Sequence, residues 1–210
     1  MKKLYIFDFD GVIADTGADI AAAVRAAQRH FGASETSDSD ILKYVGYGAE
    51  FLIENTVLND SAADRQDVVD WYKQYYYEHC AERSVLYPGI KETLEKLRAM
   101  GHHVCMFTNK PKRVAERSLK AFEIYDLFDH IFCPEDLGKR KPAPEGIIKC
   151  MEACGISAEN TLMIGDSAAD IVAAKSAGVK ACGVLCGIGD REKMMAEGPD
   201  FTVNTAGELL

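Results

Sequence analysis

Leu4-Tyr5-Ile6-Phe7-Asp8-Phe9-Asp10-Gly11-Val12-Ile13-Ala14-Asp15-Thr16 is the stretch on which the reading of the fold turns. Four flush apolar residues, Leu4 to Phe7, run into two aspartates and a glycine. A run that short, without polar alternation, suits a strand buried on both faces of a parallel sheet. Side chains alternate along an extended chain, so Asp8 and Asp10 are expected on one side with Phe9 opposed. Two acids at the carboxyl end of a strand in an open α/β sheet stand where ligands bind. An aspartate before Gly11 also makes a good turn, so the pair alone leaves both readings open.

Further short apolar runs occur along the chain: Val104 to Phe107 runs into Thr108, Leu162 to Ile164 into Gly165, and Cys182 to Leu185 lies near the C-terminal end. Segments of helical spacing separate them: Ile90, Leu94 and Leu97 after Pro88-Gly89; Val114, Leu119 and Phe122 after Pro111; Ile147, Ile148 and Met151 after Pro144. Alternating strand and helix predict an α/β fold with an open, Rossmann-like parallel sheet as its core. Residues 16–85 read differently. Ala21 to Ala27, Ile41 to Leu58 and Val68 to Cys80 are all helical in period, with no clear strand among them. The expected organisation is therefore a core built from residues 1–15 and 86–210, with residues 16–85 inserted as a helical cap. Within that insertion Tyr72, Tyr75 and Tyr76 share a helix face and are read as internal packing.

Composition bounds the function. The 210 residues carry 24 Lys plus Arg against 33 Asp plus Glu, a formal net charge of -9, and such a chain lacks the basic field that a phosphate backbone requires. Nucleic acid is excluded as an expected partner. No apolar run approaches the roughly 20 residues of a membrane span, so a membrane partner is not expected either. Lys2 and Lys3 ahead of Leu4 suggest a secretory leader, but Asp8 and Asp10 cut the apolar run short, and the N-terminus is read as mature structure. Seven cysteines, an odd number without a paired framework, indicate small buried residues in a reducing, cytoplasmic compartment. Nothing in the sequence indicates an oligomeric state.

Polar residues recur where the chain crosses one sheet edge. Thr108-Asn109 ends the second core strand, Lys141-Pro142 follows the basic stretch Lys139-Arg140-Lys141, and Asp166-Ser167 through Asp170 follows Gly165. Each has a structural explanation as a helix cap or a solvated loop. Their joint appearance, in order, at successive crossings favours a site.

Asp8-Phe9-Asp10-Gly11-Val12-Ile13-Ala14-Asp15-Thr16, Thr108-Asn109, Lys141-Pro142-Ala143-Pro144 and Gly165-Asp166-Ser167-Ala168-Ala169-Asp170 together resemble the four motifs of the haloacid dehalogenase superfamily, over essentially the whole chain. The resemblance implies Asp8 as nucleophile, Asp10 as general acid and base, and Lys141 as the cation that holds nucleophile and phosphate. It further implies Thr108 and Asn109 as ligands of the transferring phosphoryl group, Asp8, Asp10 and Asp166 as the Mg²⁺ site, and Asp170 as support from behind. Four ionised carboxylates and an incoming phosphate dianion need such a cation: oxygen donors suit Mg²⁺, and Lys141 removes one further charge.

Asp10 argues against a dehalogenase, whose halide needs no proton. Thr108-Asn109-Lys110-Pro111 and Val45-Gly46-Tyr47-Gly48-Ala49-Glu50 look like segments of the 2-phosphoglycolate phosphatases within the family. The expected partner is a small phosphorylated metabolite, and Gly46, Tyr47 and Gly48 are expected to meet it from the cap. Alternatives are a β-phosphoglucomutase-type sugar phosphomutase, a pyrophosphatase or nucleotidase of the same superfamily, and a non-catalytic phosphate-binding regulator. Intact Asp8, Asp10, Lys141 and Asp166 speak against the regulator.

Overall fold

The computed structural model describes residues 2–210. Eight strands are present: β1 (Leu4–Phe7), β2 (Ala14–Asp15), β3 (Val85–Leu86), β4 (His103–Phe107), β5 (His130–Phe132), β6 (Thr161–Gly165), β7 (Lys180–Val184) and β8 (Phe201–Val203). Six of them form one parallel sheet in the order β5-β4-β1-β6-β7-β8. The chain begins in the middle of this sheet. Successive strands are then added on one side of β1 (β4, β5) and afterwards on the other (β6, β7, β8), which makes the tip of β1 a topological switch point.

Register brings the strand tips level. Phe7 of β1 is paired with Met106 of β4 and Ile164 of β6, so Asp8, Thr108 and Asp166 all leave the sheet within about one residue of one another. Both faces of the sheet are covered. On one, Phe7, Met106 and Ile164 pack with Leu94 and Leu97 of α5 (Ile90–Ala99) and Leu119 of α6 (Lys112–Ala121). On the other, Ile6, Cys105 and Met163 pack with Ile147 and Cys150 of α8 (Glu145–Cys154) and Ile171 of α9 (Ala168–Ser176). This two-sided burial is why the strands read as flush apolar runs rather than alternating ones. The short α7 (Pro134–Leu137) and α10 (Arg191–Ala196) lie at the edges of the sequence pattern.

Between β2 and β3 the chain forms α1 (Gly17–Phe31), α2 (Asp38–Leu42), α3 (Ala49–Thr56) and α4 (Arg65–His79). They enclose an apolar cluster of their own, including Val24, Ile41, Leu52, Ile53, Val68 and Tyr72. Tyr72 and Tyr76 are buried with rings 5.7 Å apart, and Tyr75 stacks on Trp71 at 5.1 Å, so the tyrosine face packs internally as its spacing indicates, while Tyr72 and Tyr76 also border a cavity shared with Asp8. Five of the seven free cysteines are buried; Cys186 is exposed.

Some elements were not expected. β2 and β3 pair antiparallel, with Asp15 opposite Val85, although two-residue strands leave almost no pattern to read. β5 and β8 are three-residue edge strands, and Phe201 of β8 is an exposed aromatic, so neither shows the flush run of a central strand.

The two ends of the helical segment are pinned together. Asp19, buried in the first turn of α1, accepts hydrogen bonds from the backbone N–H groups of Arg83 (3.0 Å) and Ser84 (2.9 Å) and from the Ser84 hydroxyl (2.6 Å). Hydrogen bonds to a buried carboxylate are stronger than neutral ones, and their loss strands the donors. Asp19→Ala is expected to lower unfolding free energy by about 3 kcal/mol, read from urea denaturation. A change below about 0.5 kcal/mol would show that the pin carries no stability.

Candidate active site

Three carboxylates converge at the switch point. Asp8, Asp166 and Asp170 are all buried, and each offers an oxygen within 4.8 Å of the others. Lys141 stands among them: its Nζ lies 2.8 Å from Asp8 Oδ1 and donates to Asp170 Oδ1 at 2.6 Å, with its side chain fully buried. Asp170 is committed on its other oxygen as well, accepting from the Ser167 hydroxyl (2.6 Å) and N–H (3.0 Å) in the capping box that starts α9. It therefore aims Lys141 and caps a helix, and both of its oxygens are already used.

The electrostatics are unbalanced toward the negative. Burial pushes the Asp8 carboxyl up to about 6, Asp170 and Asp10 adding to the push while Lys141 opposes it. Burial, then Asp170 and Asp8, hold Asp166 well above the carboxylate range, against the pull of the Gly189 N–H and Lys141. Burial alone would lower the Lys141 ammonium, but Asp170 and Asp8 outweigh it and raise it. Three acids against one ammonium leave two formal negative charges in a dry pocket, which a hard divalent cation on oxygen donors would neutralise. Asp8 and Asp166 have the oxygens free for it. The backbone also leaves room only for what is there, since a Cβ on Gly11 would fall 1.9 Å from Asp166 Oδ2.

Other site residues are placed differently from expectation. Asp10 lines the same cavity as Asp8, but its carboxylate stands outside the cluster of three; Oδ1 accepts from Thr16 Oγ1 (2.7 Å) and from Lys110 Nζ (2.6 Å). Strand alternation fails to place it because β1 ends at Phe7 and Asp10 sits in a turn bridged to Ala14. Thr108 is buried beside Asp8, its hydroxyl accepting from the Lys110 N–H at 3.2 Å. The Asn109 side chain is spent on backbone: Oδ1 accepts from the Lys141 N–H (2.9 Å), and Nδ2 donates to the Lys141 carbonyl (3.0 Å) and the Gly46 carbonyl (2.8 Å). It fixes the Lys141 peptide and ties it to the helical segment.

Gly46 and Gly48 have φ of 98° and 95°, a region that disfavours side chains, and both line the cavity. Tyr47, expected at the same interface, turns away between them; its ring lies 5.2 Å from Phe51 and does not line this cavity. Glu50, at the end of that segment, pairs with Lys73 of α4 (2.5 Å) and with Arg140 beside Lys141.

Sequence reasoning passed over Lys110, which is buried with its ammonium on Asp10 and on the Tyr76 hydroxyl (2.5 Å). Its signal was position alone, directly after Thr108-Asn109. It also passed over Gly189, whose N–H donates to Asp166 Oδ2 at 2.8 Å; the Gly187-Ile188-Gly189 run after β7 was the available cue.

The family model described as haloacid dehalogenase-like hydrolase matches residues 5–184. The chain belongs to this family. Among its relatives, a phosphoglycolate phosphatase of Aquifex aeolicus is 31% identical, with 99% of this chain and 95% of the relative covered. One of Vibrio parahaemolyticus is 33% identical over 99% of this chain and 94% of its own length. A crystal structure from Haemophilus somnus, described as a predicted phosphoglycolate phosphatase, superposes with a TM-score of 0.93 at 28% identity, covering 99% of this chain and 96% of that one. The chain is thus an enzyme, a hydrolase of this family, and the parallel sheet is the family's fold.

Removing Lys141 would leave three buried acids without their cation. Lys141→Met is expected to cost about 3–5 kcal/mol of stability at neutral pH, measured by urea denaturation. Lys139→Met, whose exposed ammonium meets only Glu145, should stay within about 0.5 kcal/mol of wild type. Equal effects of the two would show that the buried cluster does not depend on its cation.

Proposed function

We propose that the protein is a Mg²⁺-dependent cytoplasmic phosphatase that hydrolyses a small phosphate monoester, with 2-phosphoglycolate as the substrate the site fits best. The observation that carries this reading is the buried Asp8 carboxylate at the switch point, held at 2.8 Å by Lys141 and faced by Asp166. Relatives named phosphoglycolate phosphatase, matching over nearly the whole chain, support it.

Asp8 and Asp166 would hold Mg²⁺, which when bound neutralises charge on the phosphoryl oxygens. In the first step an Asp8 oxygen attacks phosphorus and the ester P–O bond breaks; Asp10 gives its proton to the departing oxygen, and glycolate leaves. In the second, water attacks the same phosphorus, Asp10 takes the proton, and the bond to Asp8 breaks to release inorganic phosphate. Thr108 and the neighbouring backbone receive the phosphoryl oxygens, while Asn109 keeps Lys141 in place. Thr16 and Lys110 fix the Asp10 carboxylate where the leaving oxygen arrives.

Residues 16–85 serve as a cap over a core of residues 1–15 and 86–210, and Gly46 and Gly48 bring cap backbone over the site. The cavity between them is bounded by Asp8 and Asp10 on one side and by Val45, Ala49 and Leu52 on the other. Cap backbone standing this close over Asp8 favours a small leaving group over a sugar or a nucleoside. Free cysteines throughout the chain support the cytoplasm.

Asp8→Asn is expected to abolish turnover of 2-phosphoglycolate while leaving the fold intact by circular dichroism, and EDTA should silence the wild type; full activity in either case would end this reading. Independently of turnover, Mg²⁺ at about 100 times its dissociation constant should stabilise the protein by about 2.7 kcal/mol, raising Tm by about 5–10 °C. In Asp166→Asn that rise should largely vanish, and persistence of the full shift there would place the ion elsewhere.

A further inference from the structure

We propose that Lys110 is the residue that selects the leaving group, its ammonium binding a carboxylate attached to the carbon next to the ester oxygen. The proposal rests on the phosphatase reading above and names the recognition it lacks.

Lys110 is 3% exposed and its side chain 1%. Such a cation is expensive to bury and persists only where it is paired. Its Nζ donates to Asp10 Oδ1 at 2.6 Å and to the Tyr76 hydroxyl at 2.5 Å, and lies 5.1 Å and 4.6 Å from the ring centres of Phe9 and Tyr76. An ammonium has three donors. Two have oxygen acceptors, and the third has none among the described residues. Among the described residues that line the cavity over Asp8, Lys110 is the one cation; much of the remaining wall is apolar, with Ile20, Val45, Leu52 and Pro111. An apolar pocket with one placed charge is how a site orients and selects a small ligand.

Position supplies the chemical class. Asp10 is the group that meets the leaving oxygen, and the ammonium is one hydrogen bond from Asp10, is paired with neither Asp8 nor Asp170, and lines the same cavity. A leaving group bound through its oxygen at Asp10 therefore presents its next atoms to Lys110. Val45, Ala49 and Leu52 of the helical segment close over this position, which favours a short leaving group. A two-carbon hydroxy acid fills these demands: the ester oxygen at Asp10 and the carboxylate at Lys110. A leaving group of the same length without the acid forfeits the charged contact. Tyr76 belongs to α4 and Lys110 to the core loop after β4, so the same contact joins the helical segment to the site when it is closed.

The test compares 2-phosphoglycolate with ethyl phosphate, equal in length and lacking the acid, on wild type, Lys110→Met and Lys110→Arg, with Mg²⁺ present. Lys110→Met should lower kcat/KM for 2-phosphoglycolate roughly 10–100-fold more than for ethyl phosphate, mostly through KM, and Lys110→Arg should recover part of the gap. Parallel losses on both esters would assign Lys110 a merely structural role and overturn the proposal while the phosphatase reading stands. Absence of turnover of either ester by the wild type would overturn that reading and the proposal with it. Should Lys110→Met fail to fold, calorimetry on the wild type decides: 3-phosphonopropionate, the methylene isostere of the substrate, should bind at least about tenfold more tightly than propylphosphonate. Equal affinities would overturn the proposal.

Discussion

Three carboxylates can share the tip of one sheet only because the Lys141 ammonium is fixed among them. It lies 2.8 Å from Asp8 and 2.6 Å from Asp170, without solvent, and the loop that carries it is held through its peptide by Asn109. Much of the rest of the architecture serves that arrangement. Parallel register sets Asp8, Thr108 and Asp166 level, α9 begins where its capping aspartate also reaches Lys141, and Gly11 stays bare against Asp166. The cost is a site that sets three acids against one ammonium, and burial with their mutual repulsion pushes Asp8 and Asp166 upward. A divalent cation and a phosphoryl group suit such a site as a pair: the first lifts the charge that would repel the second.

Two buried lysines stand on different carboxylates. Lys141 is paired with Asp8 and Asp170, whereas Lys110 is paired with Asp10 and with the Tyr76 hydroxyl of α4. Asp8 and Asp10 are two residues apart but serve different neighbours.

The sheet and the acids at its tips were legible because central parallel strands must be apolar on both faces and must end in something polar. Leu4 to Phe7 and Leu162 to Ile164 state this directly. Edge strands escape the rule: His130–Phe132 and Phe201–Val203 have one neighbour each and tolerate exposed side chains. Directions of side chains beyond the strand ends were not legible. Alternation placed Asp10 with Asp8, but the strand had already ended, and a turn carried its carboxylate to Lys110. Tyr47 was read as facing the site because of its flanking glycines; Gly46 and Gly48 line the cavity, while the Tyr47 ring lies against Phe51. Asn109 was read as a ligand, whereas its amide is consumed by Lys141 and Gly46, partners far away in sequence. Pairings over such distances leave no local signal.

The antiparallel pair of Asp15 with Val85 has a consequence of another kind. Outgoing and returning chain pass through one doorway, so the span between them can grow, shrink or be exchanged while the endpoints stay where they are, and the entropy of closing a loop changes only slowly with its length. Lineages built on such a plan can keep the reacting groups as inherited and revise what is admitted to them by altering a single continuous stretch of gene. The doorway is a small feature, two residues on each side, yet it lets one stretch vary in length without moving the groups on either side of it.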